Sequence, residues 1–340
     1  MQSKNRLFIT ILFLFILILL YGCKTTDNNT TDTSKKQSYS QAEYFNMAGN
    51  TAKEKKDGTR AIYYYTKAIE TDPDYIEAYL NRGEMYYYVN EHEKALADFD
   101  RIIELSPQSD KAYYFKGLLF NDDGNYNKAI ENLNTAISLN DKAYEYYEAR
   151  STAYEQINEY EKAFEDINTA IKLNQKSAKL YNLRGRLHEH FERTDDAIND
   201  FKIATKLDPN DIWTYDELIL AYMKEDKIDK AFEIADKMIK LKPVRIDILY
   251  EIRATLFTLR EQYKEAIEDC NASIKISPHN ASIYNIRGTA YLEVEEYKKA
   301  IEDFDMAIKL ALESQNEIKK YAAYCKQIAY DALAEMGEKK

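Results

Sequence analysis

Residues 76–109 read IEAYLNRGEMYYYVNEHEKALADFDRIIELSPQS, and residues 281–314 read ASIYNIRGTAYLEVEEYKKAIEDFDMAIKLALES. Both stretches carry tyrosine at position 4, Arg-Gly at 7 and 8, alanine at 20 and Asp-Phe at 23 and 24. The frame extends outward from them through the chain. The five prolines, Pro73, Pro107, Pro209, Pro243 and Pro278, are spaced by 34, 102, 34 and 35 residues, and 102 is three times 34. Punctuation on a single period describes a repeat array rather than a set of unrelated domains.

With proline at position 32, eight repeats begin at Ala42, Ile76, Asp110, Tyr144, Ala178, Ile212, Asp247 and Ala281. Position 4 is Phe45 in the first and tyrosine in the other seven, and position 20 is alanine in all eight. Position 8 is Gly49, Gly83, Gly117, Ser151, Gly185, Ile219, Ala254 and Gly288. Positions 4, 7, 8 and 11 form one stripe of a first helix, and 20, 24 and 27 one stripe of a second. Small residues at 8 and 20 let the two backbones approach, and large ones at 4, 11 and 24 fill the space around them. Proline then ends the second helix. Asp74, Asp211 and Asn280 are expected to cap the helix that follows. A single hairpin cannot bury both faces, so stability must come from stacking.

This pattern resembles the tetratricopeptide repeat family over Ala42 to about Leu312. Repeats 3, 4 and 8 depart from it in lacking the proline, with Asp141, Gln175 and Leu312 there. The resemblance implies an all-α, right-handed α-solenoid of about eight helical hairpins over residues 42–312, whose first helices line a concave groove for binding partners. Residues 313–340 are predicted to form an amphipathic capping helix, with Ile318, Tyr321, Ala322, Cys325, Ile328, Ala329, Ala332, Leu333 and Met336 at three- and four-residue steps.

Positions 7 and 23 change together. Arg82, Arg150, Arg184, Arg253 and Arg287 occur with Asp98, Asp166, Asp200, Asp269 and Asp303. Where position 7 is Ala48, Lys116 or Leu218, position 23 is Tyr64, Asn132 or Ile234. A guanidinium–carboxylate bridge within each hairpin is the expected cause. Repeat 6 is expected to pack differently, with Leu218 and Ile234 for that pair, large Ile219 at position 8 and small Ala235 at 24.

The N-terminus reads as an address. Lys4 and Arg6 precede a run from Leu7 to Tyr21 that is apolar except for Thr10. At about 1.5 Å per residue this run reaches roughly 22 Å, short of the roughly 30 Å hydrocarbon core of a bilayer. A signal peptide over residues 1–22 fits better than a permanent span. The ending Leu20-Tyr21-Gly22-Cys23 resembles the lipobox of bacterial lipoproteins, although Tyr21 is bulkier than the usual small residue. The resemblance implies cleavage before Cys23 and a lipid on its thiol. An uncleaved signal anchor with an incidental cysteine is the alternative. Residues 23–41 then form the lipidated cysteine and a flexible tether. Losing Lys4 and Arg6 with no acid takes the net charge from −11 to −13. Lys24, in place of the aspartate that retains some lipoproteins at the inner membrane, favours the outer membrane of a bacterial envelope that has one.

Composition excludes several chemistries. An acidic chain with pI near 5.1 and no basic stripe is a poor nucleic-acid ligand. Three scattered cysteines give neither a disulfide framework nor a zinc site, and Cys270 reads as a small buried core residue. His188 and His190 point about 200° apart on a helix and cannot share an ion. Asp122-Asp123-Gly124-Asn125 lacks calcium-loop spacing and falls at a turn. No cofactor and no metal is expected. The repeats leave no room for a separate enzyme domain, so the protein is expected not to be an enzyme. The alternative is an envelope enzyme using a carboxylate cluster in an acidic groove.

Positions 2, 5, 9 and 12 of the first helices are expected to line the groove. They place Leu80, Tyr87, Tyr114 and Leu118, with Tyr88 alongside, in one sticky patch. Trp213, Leu220, Met223 and Ile248 make a second. Between them lies a charged belt containing Glu145, Glu148, Glu155 and Arg186. The expected partner is a protein or peptide, with basic residues facing the belt; the lipid on Cys23 would supply the membrane contact. By fold-level analogy, repeat lipoproteins of this kind serve pilus or secretion assembly, outer-membrane protein insertion or recruitment of cell-wall enzymes.

Overall fold

The computed structural model describes residues 39–240 and 245–338. The expected signal peptide, Cys23, most of the tether and Pro243 lie outside the described residues. Those described form seventeen α-helices, one short 3₁₀ turn and no strand. First helices are α1 (Gln41–Glu54), α3 (Ile76–Tyr88), α5 (Asp110–Asp122), α7 (Tyr144–Gln156), α9 (Ala178–His190), α11 (Ile212–Lys224), α13 (Ile246–Leu259) and α15 (Ala281–Glu293). Their hairpin partners are α2 (Gly58–Thr71), α4 (His92–Leu105), α6 (Tyr126–Leu139), α8 (Tyr160–Leu173), α10 (Thr194–Leu207), α12 (Ile228–Lys240), α14 (Tyr263–Ile276) and α16 (Tyr297–Leu310). A last helix, α17 (Asn316–Glu338), packs on α16 and α15.

Each helix packs on its neighbours in sequence, as in an α-solenoid. First helices of successive repeats also touch, α1 with α3, α3 with α5, α5 with α7 and α13 with α15, which puts them on the inside of the curve. Alanine at position 20 is wholly buried in all eight repeats. The Gly49 backbone lies against the Tyr65 ring, and a Cβ there would stand 2.4 Å from Cε1 of that ring. Repeat 6 inverts the sizes: Ile219 and Ala235 are both fully buried, each taking the space the other gives up.

Position 15 bends every hairpin. Lys56, Asn90, Gly124, Asn158, Glu192, Asp226, Glu261 and Glu295 all adopt positive φ between 53° and 71°. In repeat 2 the Asn90 amide donates to the Tyr87 carbonyl and the Glu91 amide to the Tyr86 carbonyl, closing a left-handed helix cap.

The expected caps hold in two places of three. The Asp211 side chain accepts from the Trp213 amide at 3.1 Å, and that of Asn280 from the Ser282 amide at 3.0 Å. Asp74 lies one residue too early, since Tyr75 occupies the cap, and it bonds Arg101 instead at 3.0 Å. The buried stripe of α17 is also narrower than its sequence pattern. Ala322, Cys325 and Ala329 are buried, whereas Tyr321, Ile328 and Met336 flank the contact and are exposed, because small residues bring α17 close to the last hairpin. Cys270 and Cys325 are both buried free thiols.

Candidate binding groove

All five Arg–Asp pairs form. Arg184 donates from Nε and Nη2 to the two Asp200 oxygens, each at 2.7 Å. The remaining nitrogen, Nη1, reaches back to Asn168 Oδ1 in the preceding second helix at 2.9 Å. Arg82, Arg150, Arg253 and Arg287 repeat this geometry, reaching Thr66, Asn134, Asp236 and Asn271. Each arginine therefore fastens its own hairpin and the seam to the preceding repeat. The hydrogen bonds from Arg184 to Asp200 hold this guanidinium above its usual range against the opposing effect of burial. Rigid seams of this kind fix the inner face on which ligands can lie.

That face brings some of the expected residues together. Leu80, Tyr114 and Glu145, from three successive repeats, line one cleft of about 360 Å³ with Asn81, Phe115 and Tyr146. The Tyr114 ring stands 4.8 Å from that of Tyr146, and burial pushes its phenol well above the usual range. Tyr87 packs on Phe115 with ring centres 6.2 Å apart, and burial, then its hydrogen bond to Asp122, raises it to about 12. Tyr88 beside it is exposed. Trp213 is 63% exposed and Leu220 51%, so both can be covered by a ligand.

Other expected residues are engaged elsewhere. Leu118 packs on the core between repeats 3 and 4, and Met223 on that of repeat 6. Ile248 sits in a separate cleft with Arg245 and His279. The belt is largely neutralised from within: Lys179 holds Glu148 at 2.5 Å, Arg186 holds Glu155 at 2.7 Å, and Lys224 holds Glu189 at 2.8 Å. These bridges run between successive first helices, so they depend on how repeats stack.

Two carboxylates of repeat 6 were not singled out in the sequence: Asp216, at groove position 5, and Glu217, at position 6, outside the pattern. Burial raises Asp216, and the charge of Glu251 adds to it. Burial also raises Glu217, with Arg186 opposing and Asp216 and Glu189 reinforcing. Neither has an ion-pair partner within 4 Å among the described residues. Their acidity was legible in the sequence, but their lack of a cation was not. No group of residues able to hold a metal occurs among those described. His188 packs edge-on against Phe164, and His190 stacks on Tyr160. Among the described residues no helix is long and apolar enough to cross a membrane.

Sequence profiles of the tetratricopeptide repeat match residues 42–75, 76–109, 110–142, 149–212 and 281–314, together more than half of the chain. A structure of Pseudomonas aeruginosa pilF is 16% identical, with a TM-score of 0.53 over 61% of this chain and 94% of that one. The Cut9–Hcn1 hetero-tetramer of the APC/C gives a TM-score of 0.53 at 14% identity over 80% of this chain and 52% of that one. At these identities the likeness is one of fold. A Giardia intestinalis UDP-N-acetylglucosamine–peptide N-acetylglucosaminyltransferase is 36% identical over 56 residues, 16% of this chain. The chain spans only 4% of that relative's length.

Proposed function

The chain belongs to the tetratricopeptide repeat family, and from that premise we propose that it is a non-catalytic scaffold holding a protein or peptide segment on its inner face. A lipid on Cys23 would anchor it at the bacterial cell envelope, on the outer membrane where there is one. The observation that carries the reading is the inner face itself. The Leu80–Tyr114–Glu145 cleft stands at one end and exposed Trp213 and Leu220 at the other. Aromatic anchors on a concave, rigid surface are the usual centres of recognition. The partner's basic side chains would meet Asp216 and Glu217, whose charge lacks a cation of its own, rather than Glu148 and Glu155, which are already paired.

Raised carboxylates in a groove also favour a second reading, an envelope enzyme. Burial shifts both acids in the same direction, however, whereas acid–base work needs two groups whose environments push them apart. We assign them to ligand binding.

Capture from solubilised envelopes with the full chain tests the scaffold. A partner should be retained by the wild type and lost in high salt or on Trp213→Ala. Fractionation tests the anchor separately: Cys23→Ala should leave the protein uncleaved or release it from membranes. A Cys23→Ala protein processed and anchored normally refutes the lipid attachment.

A further inference from the structure

The arginine seam is interrupted once in a way that opens a site. In five repeats, the guanidinium at position 7 joins the aspartate at 23 to a polar residue at position 25 of the preceding second helix. At repeat 6 these three places hold Leu218, Ile234 and Lys202. No polar bridge can form, and a cleft of about 690 Å³ lies between α10 and α12. Its floor is apolar, with buried Leu218 and Tyr215 beneath Ile234 and Tyr222. Its rim is basic: Lys202 and Lys206 come from α10, Lys230 and Lys237 from α12, and Glu233 is the one acid lining it. All four lysines are exposed, and none has an ion-pair partner among the described residues. Lys230 lies over the Tyr222 ring at 5.8 Å.

Four free ammonium groups around an apolar recess are out of character for a chain of net charge −11. We propose that this cleft is a second docking site, on the second-helix side of the solenoid, for an acidic peptide segment that inserts one bulky apolar side chain. Charge complementarity selects an acidic partner. The recess selects a side chain, since a flat anionic bilayer would rest on the rim and leave half-buried Ile234 uncovered. Its volume lies within the range of sites that enclose a compact group. The inserted side chain covers Ile234, while flanking carboxylates reach Lys202, Lys206 and Lys237. With a basic segment on the inner face and an acidic one here, the protein joins two partners of opposite charge.

Fluorescence anisotropy on the detergent-solubilised full chain tests the site, using a labelled Glu-Asp-Glu-Phe-Glu-Asp-Glu peptide at low salt. Binding should be saturable. It should weaken at least about tenfold with Lys202→Glu plus Lys206→Glu, and likewise when the peptide's phenylalanine is replaced by alanine. Leu218→Arg with Ile234→Asp, which places the Arg–Asp pair of the other hairpins in the recess, should abolish it. If that variant does not fold, the exposed lysine pair decides alone. No binding, binding indifferent to the lysine reversals, or equal binding of the alanine peptide overturns the proposal. So does lysine-dependent adsorption to phosphatidylglycerol vesicles without peptide binding.

Discussion

Lys326 in the last helix donates to Asp305 at 2.6 Å, from the place where the next repeat would supply an arginine. Asp305 is position 25 of repeat 8, the outward-reaching partner in every Arg-bearing seam. The capping helix thus continues the ladder with a lysine, as Lys116 does for Asp100 at the start of repeat 3, also at 2.6 Å. The seams form one ladder in which a cation reaches a polar residue at position 25 of the preceding repeat, interrupted by a single apolar rung at repeat 6.

Removing one member of a rung should cost more than removing both. Asp200 is 3% exposed, so Arg184→Leu leaves a buried carboxylate without its cation. The expected loss is about 3–5 kcal/mol. Arg184→Leu combined with Asp200→Ile installs the pair that repeat 6 uses and should recover most of it. Denaturant unfolding of the wild type, both single variants and the double variant measures this coupling. A double variant no more stable than Arg184→Leu would mean that the apolar rung works only in its own surroundings.

The left-handed turn residues give a prediction of opposite sign at two sites. Gly124→Ala meets nothing within 4 Å, so its effect is backbone strain alone, a loss of roughly 1 kcal/mol. Glu192 holds φ at 57° with a side chain that disfavours it, and Glu192→Gly should gain a few tenths to about 1 kcal/mol. Thermal unfolding of the pair checks both directions.

Much of this architecture is legible in the sequence because it is written eight times. Prolines, the alanine at 20 and the aromatic at 4 set the register, and the first helices begin within one residue of where that register puts them. The arginine–aspartate rungs show as covariation between copies. The turn at position 15 does not, because lysine, glutamate, asparagine, aspartate and glycine all occupy it and the backbone alone imposes the conformation. The third arm of each arginine is hidden for a similar reason, since threonine, asparagine or aspartate can receive it. Groove electrostatics were least legible. Whether Glu148 meets Lys179 depends on the angle between repeats, which no single-repeat pattern carries.

His188 should make the array sensitive to mild acid. Burial lowers its pKa, along with Arg184 and Arg193, against the pull of Asp200 and Asp196. Its Nδ1 has no hydrogen-bond partner. With the folded value below the unfolded one, the unfolded chain takes up the proton first. The contribution is therefore present above about pH 6.5 and is lost as pH falls below it. His188→Tyr puts at this position the residue found in repeats 2, 4, 6 and 8, and should flatten stability between pH 7 and 5. An unchanged pH slope would assign the sensitivity to other groups.

The two ends of the inner face should respond differently to truncation. Trp213 is 63% exposed, so Trp213→Ala should weaken partner binding by about 1–3 kcal/mol and leave the unfolding midpoint in place. Tyr114 is packed on Tyr146 and against the core of repeat 3, so Tyr114→Ala should lower both affinity and stability. Tyr114→Phe separates the two effects, because it keeps the ring that fills the cleft with Leu80 and Glu145 and removes only the hydroxyl. Affinity and unfolding measured on the three variants locate the ligand. If Trp213→Ala and Tyr114→Phe both bind with full affinity while Tyr114→Ala loses stability alone, the inner face is not where the partner sits, and the lysine-rimmed cleft at repeat 6 becomes the principal binding surface.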